Sequence, residues 1–449
     1  MMKNCWSCSR ISRRDMLKAS GSLAAFLALA RRGDVHASSV DVRMRGSARA
    51  VVFVYLNGAP SHVDTFDVKD GPWNPRDADI RQYPGGIALS RTLFPKLSEL
   101  TSDMCILRSV RSWEAAHERG VFYMQTGHPS NPAFVSETPH MGAVVATEKG
   151  GGGPMPPFVS LNQSGLTIQG SKFLGGGVAP LAAPANPGGL TTIEHNFFGA
   201  QSQQRFEQRF QLLQELDAGM RSNPPDSALA DHADFYTAGK RMMYDDAIAS
   251  VFKFNDDDNQ RFGNSPFGRA AIVARNAVRA KNGTVFVALS QSSWDTHQNM
   301  FDRAYASNMY QLCHELDSGV GTLAQDLKAS GDLDQTLIVI MGEFGRTPGL
   351  LNSQGGRDHW RDAMSVVMMG GGVKGGRIIG ATDGNGEKII DPGWSRQRAI
   401  VMEDIAATVY SALGVNWTKS IEDTPSGRKF EYVPFGATGL YVPIDEVFG

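Results

Sequence analysis

The sequence predicts an α/β protein in which helices cover both faces of a mostly parallel sheet. Short, nearly continuous apolar runs alternate with helical segments along the chain. The connections between successive runs are long enough for right-handed crossovers. With 41% hydrophobic residues among 449, the chain can also bury one large core or two ordinary ones. Such an alternation is typical of layered α/β folds.

Five apolar runs are predicted to form strands that are buried on both faces. Each run is short and dominated by aliphatic residues or methionine, as the strands of a parallel sheet are. Asn57-Gly58 follows the first run and Gly370-Gly371-Gly372 follows the last, and both supply residues that end a strand. The runs are residues 50–56, 104–107, 284–289, 336–341 and 364–369.

Helices are predicted over residues 93–100, 268–280, 303–329 and 403–413. The third is the clearest, because apolar residues recur in it at spacings of three and four: Met309, Leu312, Leu316, Val320, Leu323 and Leu327.

Two stretches interrupt this alternation. Residues 150–190 are rich in Gly, Pro and Ala, which predicts a long surface excursion. Residues 201–250 are predicted to be helical, with an apolar face formed by Phe206, Phe210, Leu213 and Leu216. We interpret both stretches as insertions into a single domain that spans residues 38–449.

Residues 1–37 are predicted to be an export signal. Residues 12–18, SRRDMLK, have the twin-arginine (Tat) pattern, and Val35-His36-Ala37 offers small residues for cleavage. The apolar run at 19–30 is shorter than the roughly 20 residues that span a bilayer, which disfavours a membrane anchor. Cleavage leaves about 412 residues without a transmembrane segment. These features predict the Tat export machinery as a partner and a periplasmic or secreted location.

Composition excludes several other classes of protein. The formal net charge is -2, so the chain lacks the overall positive charge that is typical of nucleic-acid-binding proteins. The apolar content excludes a disordered chain, and four cysteines are too few for a disulfide scaffold. Cys5 and Cys8 leave with the signal. Cys105 and Cys313 lie in apolar runs and are predicted to be buried small hydrophobes rather than a disulfide.

Polar residues collect beside the ends of the predicted strands, where the ligand sites of α/β sheets lie. Four of the five clusters pair a histidine with a carboxylate, although the chain has only 10 histidines. Imidazole nitrogens and carboxylate oxygens suit a divalent ion such as zinc or manganese. The clusters contain His62 and Asp64; Arg111, Glu114 and His117; Asp295 and His297; Glu343 and Arg346; and Arg357, Asp358 and His359.

Two of these clusters have a spacing that favours a shared ion. His62 and Asp64 are two residues apart, as are Asp295 and His297. Residues two apart on an extended backbone face the same side, so each pair could present both groups to one ion.

A structural role is the alternative for any single histidine. A lone histidine more often holds a loop or caps a helix than binds a metal ion. By that reasoning His128 and His140 are predicted to be loop residues, and His195, His232 and His314 to be structural. The case for chemistry depends on the clusters meeting in space.

Five sequence blocks together resemble the DUF1501 family. In chain order they are NGAPSHVDTFD at 57–67, WDTH at 294–297, GEFGRTP at 342–348, GRDHW at 356–360 and GGGVKGG at 370–376. The resemblance covers nearly the whole chain after the signal. This family is similar to the alkaline phosphatase and sulfatase superfamily. The resemblance therefore implies an alkaline-phosphatase-like three-layer α/β/α sandwich that cleaves phosphate or sulfate esters with one or two divalent ions.

Only some of the metal-binding residues of that superfamily have a counterpart in this sequence. His359 matches its final metal-binding histidine, and Asp295 with His297 resembles an earlier Asp and His pair at a shorter spacing. Asn57 stands where the superfamily has an aspartate after the first strand, and Phe344 stands where it has a histidine. Asp64, together with His62, is the candidate replacement for the missing aspartate.

The side-chain nucleophile of the superfamily has no firm counterpart. Ser109 and Ser112 are the only hydroxyls at the corresponding strand-to-helix junction. Cys105 is not followed by the formylglycine pattern Cys-x-Pro-x-Arg, which disfavours a formylglycine sulfatase. Attack by a water molecule that a metal ion activates would need no such side chain. His117 would then be a further ligand or the general acid.

The leading hypothesis is an exported metal-dependent hydrolase of phosphate or sulfate esters. The substrate would be an anionic ester such as a sulfated or phosphorylated glycan, and the cofactor one or two ions of zinc, manganese, calcium or magnesium. Arg346 would pair with an anionic oxygen, because a guanidinium fork fits such groups. The assigned metal ligands are Asp64, Asp295, His297, Glu343 and His359, with His62 and Asp358 as additional ligands; His117 and Arg346 are assigned to catalysis, and Arg111 and Arg357 to substrate binding.

Two alternatives stay open. One is a non-catalytic binding or scaffold protein on the same fold, which Asn57, Phe344 and the missing nucleophile favour. The other is a phosphomutase-like transferase, which export makes less suitable because its substrates are intracellular metabolites.

Overall fold

The structure is a computed structural model that describes residues 42–150, 152–163, 168–183, 185–187, 189, 202–223, 239–240 and 245–449. The export signal predicted at residues 1–37 lies outside these residues, as do parts of both predicted insertions. Val42–Gly449 forms one compact unit. Within the described ranges, no helix combines the length and the apolar character that a bilayer crossing needs.

Eight strands form the central sheet, and the five predicted runs all lie in it. β1, β6 and β7 have the predicted bounds, whereas the shorter β3, β4 and β8 are additional to the prediction. The strands are β1 (Ala50–Leu56), β2 (Met104–Val110), β3 (Phe158–Leu161), β4 (Leu181–Ala183), β5 (Phe286–Gln291), β6 (Thr336–Met341), β7 (Met364–Met369) and β8 (Arg377–Ile379).

The sheet is mostly parallel, as predicted. Its strand order is β8-β2-β7-β6-β1-β5-β3-β4. β7 runs antiparallel to both of its neighbours, β2 and β6. All other pairs are parallel. The carboxyl ends of the parallel strands and the amino end of β7 therefore share one edge, which we call the site edge.

Helices pack on both faces of this sheet and make it the middle of three layers. Alternate residues of β1 enter different cores: Val52 and Val54 face one, and Val51, Phe53 and Tyr55 face the other. The described α-helices are α1 (His117–Thr126), α2 (Met141–Lys149), α3 (Ser202–Leu216), α4 (Ala218–Ser222), α5 (Asp246–Phe252), α6 (Asp256–Arg261), α7 (Pro266–Ala280), α8 (Met309–Leu316), α9 (Thr322–Ser330) and α10 (Met402–Ala412).

The two faces use different helices. Residues of α5, α7, α8 and α9 join the core with Val52 and Val54, whereas α1, α2 and α10 join the other. The predicted fold class, an α/β/α sandwich with a mostly parallel sheet, is therefore confirmed. Short antiparallel pairs flank the sheet: Ile80–Gln82 with Ala88–Ser90, Gly345–Arg346 with His359–Trp360, Ala381–Thr382 with Ile389–Asp391, and Ser420–Ile421 with Phe430–Glu431.

Two predicted helices differ from the structure. The helix predicted at 93–100 is a 3-10 helix over Leu97–Asp103, beginning two residues after Pro95, whose ring provides no backbone donor. The helix predicted at 303–329 begins at Met309, where the side chain of Asn308 accepts a hydrogen bond from the Gln311 amide at 3.0 Å. A π-helical turn over Asp317–Gly321 then separates α8 from α9.

The two cysteines of the described chain are unpaired. Cys105 and Cys313 are both buried and free. The prediction that they behave as small hydrophobic residues is confirmed.

Candidate metal centre

Four side chains meet at the site edge: His117, Asp295, His297 and His359. One donor atom from each lies within 4.8 Å of the others. Among the described residues, no other group of three or more His, Cys, Asp or Glu is arranged to hold a metal ion. We call these four residues the His–Asp cluster.

The fold supplies these residues from three separate segments. His117 is the first residue of α1, after β2, and Asp295 and His297 follow β5. His359 precedes β7, and it reaches the same edge because β7 is antiparallel. It pairs with Arg346 in the short ladder of Gly345–Arg346 with His359–Trp360.

Asp295 is the common partner of the three imidazoles. Its Oδ1 lies 3.2 Å from His117 Nε2, 3.0 Å from His297 Nε2 and 3.6 Å from His359 Nε2. The Nε2 atoms of His297 and His359 are 3.1 Å apart. Three ring nitrogens and one carboxylate oxygen therefore face a single point.

Each imidazole is held from outside through its other nitrogen. Nδ1 of His117 lies 2.8 Å from Glu343 Oε1, Nδ1 of His297 lies 2.9 Å from Asp358 Oδ1, and Nδ1 of His359 lies 2.7 Å from the Ala115 carbonyl. A carbonyl or ionised carboxylate can only accept, so each neutral ring places its proton on Nδ1. The lone pair on each Nε2 then points into the cluster.

This arrangement fits a divalent metal ion. Outward anchoring of Nδ1 by a carboxylate or carbonyl is the usual support of a metal-binding histidine. His117 Nε2 is buried and has no hydrogen-bond partner. Three lone pairs converge there beside a carboxylate, where the Arg346 guanidinium contacts Asp295 Oδ1 and lies 3.2 Å from His297 Nε2. The four donors could hold a metal ion.

The pKa directions reflect the same surroundings. The hydrogen bond to Glu343 raises the pKa of His117 above its usual value. Burial, together with nearby positive charge, lowers the pKa of His359. Burial alone would raise the pKa of Asp295, but the hydrogen bond and charge of Arg346 hold it below its usual value.

Arg346 is fully buried beneath the cluster, and its N–H groups are directed to protein acceptors. Nε donates to the Ala59 carbonyl at 2.9 Å, and Nη1 donates to the Arg357 carbonyl at 3.2 Å and lies 3.2 Å from His297 Nε2. Nη2 donates to the Gly58 carbonyl and to Asp295 Oδ1. Instead of offering a free fork to substrate, this arginine positions Asp295 and the loop after β1.

Two glycines allow the site loops to approach closely. A Cβ on Gly58 would lie 2.4 Å from the Asp295 amide nitrogen, and one on Gly356 would lie 2.1 Å from the carbonyl carbon of His297. The Gly58 amide also donates to Glu343 Oε1 at 3.0 Å. The glycines therefore set the distance between these loops and the 295–297 segment.

Asp64, His62 and Arg357 lie outside the His–Asp cluster. The expectation of an extended His62–Asp64 pair is wrong, because these residues form a 3-10 helix. Asp64 accepts from Arg357 Nε at 2.6 Å and Nη2 at 3.2 Å, and both side chains are buried. His62 Nε2 lies 2.8 Å from the Gly386 carbonyl. Arg357, which was assigned to substrate, instead forms a buried ion pair.

Glu343 and Asp358 are adjacent to the cluster rather than within it. Each contacts a histidine Nδ1, so each supports a ring instead of facing the common point. Arg111 is not part of the cluster, and its guanidinium carbon lies 4.8 Å from the ring centroid of Trp113. The Ala115 carbonyl, which holds His359, was missed by the sequence reasoning, because no side-chain pattern marks a backbone carbonyl.

The candidate hydroxyl nucleophiles do not point into the cluster. Ser109 Oγ donates to the Pro392 carbonyl at 2.7 Å, and Ser112 Oγ accepts from the Glu114 amide at 3.2 Å. Both serines are buried. Phe344 is buried too, and its ring centroid lies 5.1 Å from that of His117 and 4.8 Å from that of His359.

Fold and site together define a class: an α/β sandwich with a histidine-rich cluster, suited to a metal ion, at the carboxyl edge of its sheet. The chain belongs to the DUF1501 family, described as a protein family of unknown function, whose model matches residues 48–438. A comparison with the curated proteins finds no match.

Several solved structures are similar to the chain at low sequence identity. The PsFucS1 sulfatase from Pseudoalteromonas sp. is 12% identical, with 90% of this chain and 72% of that chain covered and a TM-score of 0.35. A phosphonate monoester hydrolase of Agrobacterium radiobacter is 11% identical, with 82% and 74% covered and a TM-score of 0.38. An alkaline phosphatase superfamily protein from Vibrio parahaemolyticus is 12% identical, with 84% and 72% covered and a TM-score of 0.37.

Proposed function

We propose that this protein is an exported, metal-dependent hydrolase of phosphate or sulfate esters. The observation that carries the proposal is the His–Asp cluster, in which three Nε2 atoms surround Asp295 Oδ1 while each Nδ1 is held from outside. The convergence of three Nε2 atoms and one carboxylate oxygen on a single point is the feature that favours a metal ion over a purely structural role. The substrate would be an anionic ester such as a sulfated or phosphorylated glycan.

The donor set favours zinc or manganese among the divalent ions. Imidazole nitrogen suits these ions, whereas calcium and magnesium prefer sites made of oxygen. His117, Asp295, His297 and His359 would hold the ion. An ion bound there would supply Lewis-acid chemistry, by drawing electron density from the ester oxygens and acidifying a water molecule.

The protein's own residues would keep this site in shape during turnover. Arg346 holds Asp295 from below, and Glu343 and Asp358 hold the rings of His117 and His297. Asp295 is 45% exposed and His297 39% exposed, so an ester can approach from solvent. No described serine at the β2–α1 junction faces the cluster, so water is the nucleophile in this proposal.

Elemental analysis combined with an ester panel tests the proposal. The wild type should carry zinc or manganese and hydrolyse at least one of 4-nitrophenyl phosphate, bis(4-nitrophenyl) phosphate, 4-nitrophenyl sulfate or a phenylphosphonate ester. His359→Ala should lose both the metal and turnover. His314→Ala, which changes an exposed histidine of α8, is the matched control and should keep both. A wild type that binds no divalent ion, or whose turnover survives chelation, would contradict the proposal.

A binding protein without turnover is the second candidate. The specific observations that favour it are the buried Phe344 against two of the cluster histidines and the two serines turned away from the cluster. In that case the wild type would bind a metal ion and retain anionic glycans, yet hydrolyse no member of the panel. The same experiment therefore separates the two candidates.

A further inference from the structure

Trp113 is the only exposed tryptophan in the described chain. It is 43% exposed, whereas Trp294, Trp394 and Trp417 are buried and Trp73 and Trp360 are half-buried. Leaving a large aromatic ring in water forgoes the stabilisation that its burial would give. Such a residue beside a candidate site is a feature that ligand binding would explain.

The segment that carries Trp113 is held firmly beside the His–Asp cluster. The Arg111 amide donates to the Ile400 carbonyl at 2.9 Å, and the Ser112 amide donates to the Arg361 carbonyl at 2.9 Å. Two residues beyond Trp113, the Ala115 carbonyl accepts from His359 Nδ1 at 2.7 Å. Trp113 is therefore an exposed ring on a fixed support, in the segment that leads to His117 and whose Ala115 carbonyl holds His359.

A positive charge accompanies the ring. The Arg111 guanidinium carbon lies 4.8 Å from the Trp113 ring centroid, within the range of a cation–π contact. Arg111 Nη2 is also 3.5 Å from Asp362 Oδ1, and their side chains are 33% and 48% exposed. This weak, exposed pair leaves the guanidinium able to accept an anionic partner.

We infer that Trp113 and Arg111 form a sugar-binding subsite next to the His–Asp cluster. The ligand class is a pyranose that carries a phosphate or sulfate ester. Its ring would stack on the indole, with Arg111 offsetting its negative charge, while the ester group reaches the cluster. This inference rests on the proposed function and narrows its substrate from anionic esters in general to esters of a sugar.

Calorimetric titration of the metal-loaded protein, with released glucose assayed in the same samples to detect hydrolysis of the probe, tests binding at the subsite. The probes are glucose 6-phosphate and glucose 6-sulfate, with glycerol 3-phosphate, inorganic phosphate, inorganic sulfate and glucose as comparisons. Glycerol 3-phosphate carries the same anion without a ring. The wild type should bind at least one glucose ester at least tenfold more tightly than any comparison probe, and the preferred ester shows whether the site takes phosphate or sulfate.

Substitutions assign that preference to the indole. Trp113→Ala should reduce binding of the glucose ester to the level of glycerol 3-phosphate and leave glycerol 3-phosphate binding unchanged, whereas Trp113→Phe should retain most of the preference. The matched control is Phe134→Ala, since Phe134 is 39% exposed and lies 4.7 Å from the Arg428 guanidinium carbon in a similar pair. Phe134→Ala should behave as the wild type.

The outcomes distinguish this inference from the proposed function. A wild type without preference for the sugar ring, or a Trp113→Ala variant with wild-type binding, would overturn the subsite even if the protein hydrolyses esters. A ring preference that depends on Trp113 in a protein without turnover would support the subsite and overturn the hydrolase. If both hold, Trp113→Ala should raise KM for a sugar ester and change kcat little.

Discussion

The histidines of the cluster depend on residues that do not face its centre. Glu343 is fully buried and accepts from both His117 Nδ1 and the Gly58 amide. A charged acceptor at Nδ1 makes Nε2 a better electron donor to a metal ion. The strength with which His117 Nε2 would donate electrons to an ion therefore depends on Glu343, a residue on a different loop.

Glu343→Gln should weaken zinc binding by about 10- to 100-fold, because an amide oxygen can accept the same hydrogen bonds without the negative charge. Competition with a chromogenic chelator measures this affinity. Glu148→Gln is the control, since Glu148 contacts Lys419 and Tyr432 instead of the cluster. Wild-type zinc affinity in Glu343→Gln would show that this carboxylate has no supporting function.

Asp64 and Arg357 form a buried ion pair outside the His–Asp cluster. Asp64→Ala would leave Arg357 charged, buried and unpaired, and should reduce the free energy of unfolding by about 3 kcal/mol or more. Urea denaturation monitored by circular dichroism measures the loss. Glu422→Ala, which removes an exposed partner of Lys429, should cost less than about 1 kcal/mol. Equal losses in the two variants would contradict the expectation.

At the scale of elements, the main strands could be predicted from the sequence, because a strand that is buried on both faces is a continuous apolar run. Thr336–Met341 is wholly buried, and its bounds were predicted without error. The direction of a strand leaves no such pattern. Residues before β7 would lie at the far edge of a fully parallel sheet, and only the antiparallel pairing of β7 brings His359 to the cluster. The block GRDHW was visible in the sequence, but the geometry that unites it with His117 was not.

The pairs with a two-residue spacing show the same limit. Asp295 and His297 both face the cluster from a segment in which the His297 amide donates to the Asp295 carbonyl at 3.1 Å, whereas His62 and Asp64 form one turn of 3-10 helix. The spacing was identical, and the local backbone decided the outcome. A two-residue spacing therefore indicates a shared site only where the backbone conformation is also known.

The first turn of α10 contains a buried carboxyl group that makes stability depend on pH. Burial raises the pKa of Glu403 to about 7, although it accepts a hydrogen bond from the Tyr123 hydroxyl. Between about pH 4.5 and 7 the folded protein keeps this proton and the unfolded chain releases it. Stability should therefore fall as pH rises through that window, by about 3 kcal/mol, and change little above it.

Glu403→Gln should flatten this part of the stability profile, because the amide does not titrate. Urea midpoints at several pH values between 4.5 and 8 measure the profile. Asp404, whose pKa burial also raises, contributes in the same direction and should leave a smaller residual slope. A profile in Glu403→Gln as steep as that of the wild type would assign the dependence to other groups.

At the scale of the whole molecule, two cores share one sheet, and the described part of the chain from residue 42 onward forms a single compact unit. We propose that the predicted insertions near 150–190 and 201–250 belong to this unit as one domain. We also propose periplasmic or secreted location through the Tat pathway. That route exports folded proteins, so the cluster could receive its ion before export.

The predicted signal contains a second arginine pair, which provides a control for a test of Tat export. Replacing Arg13 and Arg14 with lysine should keep the precursor in the cytoplasm, because the pathway reads that arginine pair. Replacing the second pair, Arg31 and Arg32, with lysine preserves charge outside the motif and should leave export intact. Immunoblots of cell fractions measure the distribution. Export of both variants would indicate a different route.

The cluster draws its donors from segments that are far apart in sequence, at His117, Asp295 and His359. An unfolded chain does not hold these groups together, so an ion would bind the native state almost alone. By mass action, free ion at 100 times its dissociation constant would add about 2.7 kcal/mol to the free energy of unfolding. The melting temperature of this protein would then report the supply of metal in its surroundings. In a compartment with little of that metal, the protein would be less stable as well as less active.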